Sequence, residues 1–164
     1  MKKHQLGVLY ILIAAMMYGF MPIVCTFTYN GGNNPYSMAF FRNALVLPIL
    51  YGMVVKNKQS LKITKKRFFE IFIAAFLGIV VTCLLLFSSY MYIDVGAATT
   101  LHFMYPLVVS LLCRFVYHDQ LDRKTKLALG LSVIGVACFY EPNGSAYGLL
   151  LALLSGISFA IYIV

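Results

Sequence analysis

Tryptophan is absent, and five acidic residues face 13 lysines and arginines. None of the acids lies deep in an apolar stretch: Glu70, Asp94, Asp119, Asp122 and Glu141 all fall at the ends of such stretches. Proton coupling through a buried carboxylate and catalysis by paired intramembrane aspartates therefore have no candidate residues. No nucleophile stands near a base and H-E-x-x-H does not occur, so neither enzymatic activity nor a cofactor is expected. Cysteine is sparse, and no C-x-x-C or metal-ligand spacing occurs. Cys25, Cys83, Cys113 and Cys138 read as small apolar fillers.

Charge of either sign is also scarce. Charged residues make up 11% of the 164, apolar ones 62%, and the mean hydropathy is +0.86. A soluble domain of this size lacks the interior to hide so much apolar surface. The pattern implies an all-α integral membrane protein, a polytopic bundle of about six transmembrane helices. Residues 6–28 and 71–93 each run 23 positions without a charge. A hydrocarbon layer of about 30 Å needs roughly 20 helical residues. Residues 35–55 carry one charge, Arg42, and residues 95–113 carry His102. Residues 144–164 are again uncharged, whereas residues 127–140 give a shorter fifth stretch. That stretch is expected to span because Lys124 and Lys126 can snorkel at its inner end.

If the six helices alternate, twelve of the 13 lysines and arginines fall on one side. The opposite loops, 29–34, 94 and 141–143, carry none. Such asymmetry places the amino terminus and the cation-rich loops in the cytoplasm. The net charge of +8 then follows the membrane and its anionic headgroups rather than nucleic acid. Lys2 and Lys3 precede a run too long for a signal peptide and without an A-x-A cleavage site, so it reads as an uncleaved helix. Asn143, Gly144 and Ser145 form a glycosylation sequon of no diagnostic weight.

The residues that ask for a function are polar groups inside spans. Arg42 and His102 each lie seven residues into a span that enters from outside, roughly 10 Å deep at the helical rise. Tyr105 is one turn beyond His102 on the same face, and Thr99 continues that face outward. Tyr18, flanked by Met17 and Met21, lies near the middle of the first span, and Ser88 and Ser89 lie near the outer end of the third. Tyr18, Arg42, Ser88, His102 and Tyr105 are the candidate substrate-binding residues, lining a polar pocket open to the outside. A structural reading competes: Arg42 binding carbonyls at a neighbouring helix end and His102 bonding across one interface. Pro22, Pro48 and Pro106 lie within spans, where each removes a backbone bond and favours a kink. Gly148, Ala152, Gly156 and Ala160 recur every four residues in the last span, a seam that admits a close-packed helix. Its partner is this chain, a missing remainder or a second copy.

Three stretches carry a resemblance to a known family. AAMMYGFMPI (14–23) has small residues, an aromatic and Gly, with Tyr18 where tryptophan is common. PYSMAFFRNALVLPIL (35–50) has the proline and Arg42. Residues 90–136 have a short outer turn, the Tyr105-Pro106 pair and Gly135. Together these resemble the EamA type of the drug/metabolite transporter superfamily, with Asp119 departing from the usual glutamate. The resemblance implies ten helices in two homologous halves of inverted topology, with the substrate bound between them. Residues 1–141 would be the first half and 142–164 the first helix of an incomplete second, with the bilayer, a small solute and a missing half or second copy as partners. The expected function is alternating-access carriage of small metabolites or drugs across a plasma membrane, that of a bacterial inner membrane. Two alternatives stand: a half-length homodimeric multidrug-type exporter, and a non-transporting scaffold that pairs through the last helix. The cation bias argues against the first, since dual insertion needs a weak bias.

Overall fold

The computed structural model describes residues 3–58, 63–118, 122–138 and 145–164. Asp119, the loop 141–143 and the sequon at Asn143 lie outside the described residues. The described chain forms six helices. They are α1 (Lys3–Asn30), α2 (Pro35–Lys56), α3 (Lys65–Ser89), α4 (Val95–Val116), α5 (Arg123–Cys138) and α6 (Ala146–Ile163). All except α5 are long and apolar enough to cross a membrane. The side chains of the spans point largely outward: Ile11 is 70% exposed and Leu47 65%. Only lipid tolerates apolar exposure on that scale. The chain is a polytopic helical membrane protein.

Local chemistry sets the boundaries. Gly32 closes α1 at a φ of +87°, a left-handed conformation that glycine adopts without a steric cost. Its N–H donates to the Tyr29 carbonyl (2.9 Å), and the Asn33 N–H donates to that of Thr28 (3.0 Å). This paired pattern satisfies the last carbonyls of a helix. Pro35 opens α2 at a position where its missing N–H costs nothing. Thr64 caps α3 by accepting from the Arg67 N–H, and Asp94 caps α4 by accepting from Gly96 and Ala97.

Two spans depart from a uniform α-helix. Residues Phe76–Val81 of α3 wind as a π-helix, and α4 is split into Val95–His102 and Tyr105–Val116. The α4 break comes at Pro106, which offers no N–H to the His102 carbonyl four residues back. Pro22 and Pro48 lack an N–H as well, yet α1 and α2 continue through them. A proline inside a helix removes one helical bond, but only at Pro106 does a new helical segment start.

By contacts the chain divides into residues Met1–Asn34 and Pro35–Val164. The first unit is α1 and its capping turn. In the second, α6 packs against α3 and both segments of α4, and α2 packs against the later part of α3. The core is Ile93, Ala98, Leu101 and Ala152, with Tyr90, Met104 and Leu149 around it. α5 meets the first segment of α4, and among residues 123–135 only Thr125 and Leu129 are half-buried while the rest are exposed. At 16 residues the described α5 rises about 24 Å, short of the roughly 30 Å of a hydrocarbon layer.

Candidate functional site

The site begins with how α6 reaches the α4 break. A Cβ added at Gly156 would lie 3.0 Å from the carbonyl oxygen of His102 and 3.5 Å from that of Leu101. Glycine thus lets the two backbones touch where Pro106 has left the His102 carbonyl without its helical donor. At Gly148 an added Cβ would meet Tyr92 Cβ at 2.7 Å and Ile93 Cγ2 at 2.8 Å. Ala152 and Ala160, the other members of the four-residue series, are fully buried. The face that carries them is the face α6 turns to α3 and α4.

Ser155 comes with that face. It is fully buried, and its Oγ lies 2.9 Å from His102 Nδ1 and 2.6 Å from the carbonyl oxygen of Ala152. The hydroxyl has one proton, which it donates to Ala152, so its oxygen accepts from His102. Successive residues of α6 thereby hold His102 twice, Gly156 at its backbone and Ser155 at its ring.

Aromatic rings surround the imidazole. Phe159, one turn beyond Ser155, has its centroid 5.7 Å from it, Tyr105 5.9 Å and Phe103 5.9 Å. Tyr105 and Phe159 meet edge to face at 4.8 Å and 86°, the geometry that aligns a ring's positive edge with a negative face.

Arg42 is held by α3. Its Nη1 donates to Cys83 Sγ at 3.5 Å, and its guanidinium carbon lies 5.7 Å from the centre of the Phe87 ring. Cys83 and Phe87 are one turn apart and present one face to the cation. A thiol is a weak acceptor and a ring face a diffuse one, so Arg42 is steadied without being neutralised.

α3 is tied to α6 at its π-helical segment. The Leu77 carbonyl accepts from Ser158 Oγ of α6 at 2.9 Å and from Thr82 Oγ at 3.4 Å. A carbonyl loosened by π-winding needs such donors where water is absent. Gly78 lies directly beneath Tyr162 of α6, and no side chain fits between them.

Of the five sequence candidates, Arg42, His102 and Tyr105 are all half-buried in the second unit; the rings of His102 and Tyr105 adjoin, and Arg42 lies against α3. Ser88 is half-buried on α3 beside buried Ser89, whose hydroxyl donates to Leu86. Tyr18 is 63% exposed on α1, in the first unit. His102 makes the cross-helix bond that the structural reading of the sequence foresaw, whereas Arg42 has a thiol and a ring in place of a helix-end carbonyl. Sequence reasoning passed over Cys83, Phe87, Ser155 and Phe159. For the last two a signal existed: both follow the four-residue rhythm of α6, one position before each of its small residues. Among the described residues no group of three or more His, Cys, Asp or Glu could hold a metal ion.

Apolar spans, one helix broken and one underwound, with polar groups within the spans, define a polytopic helical membrane protein. The sequence matches the model of the EamA-like transporter family over residues 5–140. The chain belongs to that family of membrane transporters. No curated protein and no solved structure matches it. The matched stretch ends before α6, the helix that supplies Ser155 and Phe159 to His102.

Proposed function

We propose that the protein carries a small solute by alternating access, with Arg42, His102 and Tyr105 in the substrate path. Two observations support this reading: Arg42 of α2 rests on Cys83 and Phe87 of α3, and His102 and Tyr105 of α4 pack against Ser155 and Phe159 of α6. Ionisable side chains are expensive in a bilayer and mark solute or ion pathways. In this reading Arg42 attracts an anionic group, since Cys83 and Phe87 leave its charge intact. His102 and Tyr105 supply hydrogen bonds and ring faces, and Ser88 adds a hydroxyl to the lining.

Residues 1–141 act as one five-helix half and α6 opens the next. A further half, from continuing chain or from a second copy, completes the carrier. The cation-rich loops and the amino terminus face the cytoplasm, and the membrane is the plasma membrane of a bacterium. The 16 residues of α5 cross the bilayer with Lys124 and Lys126 reaching to the inner headgroups.

Flux of ¹⁴C-labelled amino acids and their derivatives in vesicles bearing the native assembly tests the assignment. Arg42→Gln and His102→Ala should each lower flux at least tenfold while the amount inserted is unchanged. Flux unaltered by both substitutions would remove these residues from the path.

A further inference from the structure

We infer that His102, Tyr105 and Phe159 form a subsite that accepts a hydrogen bond, through His102 Nε2, from a neutral hydroxyl or amide N–H on the apolar part of a small solute. Ser155 is its positioning residue. This inference deepens the transport reading and rests on it for the word solute.

The Ala152 carbonyl takes the single proton of Ser155 at 2.6 Å, which leaves the Ser155 oxygen to accept from His102 Nδ1 at 2.9 Å. A neutral imidazole carries one N–H, and Ser155 fixes it at Nδ1. The lone pair is thereby assigned to Nε2. Among the described residues Nε2 has no hydrogen-bond partner. Every fully enclosed polar side-chain atom of the buried and half-buried described residues has one. Nε2 therefore lies at an accessible surface of half-buried His102, whose ring is flanked by those of Tyr105 and Phe159.

Charge narrows the class of donor. A cationic donor would have to give up water for a place among apolar and aromatic side chains inside a span, which is costly. A neutral O–H or N–H carries no such penalty, and its apolar body meets aromatic faces. The position of the acceptor is not adjustable, because Gly156 and Ser155 hold the backbone and the ring from one rigid helix. A preset acceptor reads a donor at one distance and one angle, which is how a buried polar group gives selectivity.

The test is a ¹⁵N-histidine NMR spectrum of the full chain in lipid nanodiscs, with His102 assigned by its loss in His102→Gln. Nε2 should be unprotonated and Nδ1 protonated. Titration with 2-phenylethanol should move the Nε2 resonance, while its methyl ether, which has the same body without a donor, should not. Ser155→Ala should mix the two tautomers and weaken the phenylethanol response about tenfold, the scale of one well-placed hydrogen bond. A proton on Nε2 in the unaltered protein would overturn the inference, as would equal responses to the alcohol and its ether. The unaltered protein decides this even if Ser155→Ala fails to fold. Because no flux is measured, a failure of carriage would overturn the transport reading while leaving the subsite standing.

Discussion

α5 and α6 are close in length, 16 and 18 residues, and both are rich in small and apolar side chains, yet they play opposite parts. α6 is the helix around which the second unit is built, and α5 stands at its margin. The difference lies in spacing. In α6, Gly148, Ala152, Gly156 and Ala160 recur every four residues and keep one face flat for its whole length. In α5, Gly130 and Gly135 are five apart and fall on different faces. No atom lies within 4 Å of a Cβ added at either of them. Small residues bring helices together only when the helical period aligns them.

The largest expected break of this contrast is Gly156→Leu. The side chain would enter the space held by the His102 and Leu101 carbonyls, and backbone cannot be pushed aside as a side-chain tip can. A loss of about 3 kcal/mol is expected, the upper end for overpacking, read as a lowered midpoint of thermal unfolding in detergent. Gly156→Ala should cost about 1 kcal/mol, since its one methyl meets the same oxygen at 3.0 Å. An unchanged midpoint for both would mean that α6 does not pack on α4 at His102.

Ser158→Ala tests the second tie of α6. Leu77 would lose its 2.9 Å partner and keep the weaker one from Thr82. A cost of about 1 kcal/mol is expected, on the scale of hydrogen bonds between membrane helices. The same midpoint measurement decides it. Gly130→Leu sharpens the comparison from the α5 side. With open space around it, and leucine a better helix former than glycine, the midpoint should hold or rise slightly. A fall as large as that of Gly156→Leu would show α5 to be as tightly packed as α6.

The smallest effect is expected at Asp122, the cap of α5. The Thr125 backbone N–H at 2.7 Å, then the Thr125 hydroxyl and the Lys124 N–H, hold its carboxyl below the usual aspartate range. The sign follows from the lowered value. The cap contributes its full share above the ordinary carboxylate pKa and loses it as pH falls through the lowered one. Protection factors for amide exchange at the start of α5 should therefore fall only in acid. Asp122→Asn, which keeps a capping oxygen, should largely remove that acid dependence.

Much of this was open to reading in the sequence. Span positions follow from uninterrupted apolar length, because a bilayer cannot satisfy a charged or unbonded group. Arg42, His102 and Tyr105 could be singled out for the same reason, as polar groups in apolar surroundings. The partners of these residues could not. Cys83 looked like filler because its neighbours along the chain are apolar, and only the docking of α2 on α3 brings a guanidinium to it. Ser155 looked like one more small residue in a small-residue helix.

The amino-acid sequence by itself determined that this protein lives in a membrane and where its helices run. It also determined which face of α6 could come close to another helix. Those are one-dimensional matters of hydrophobic length and period, fixed by the thickness of a bilayer and the pitch of a helix. The tertiary structure alone decided that α6 closes on the break in α4, that Ser155 Oγ meets His102 Nδ1, and that Arg42 rests on a thiol and a ring. Each of these is a contact between residues far apart in the chain. Packing selects such contacts, and no local spacing encodes them.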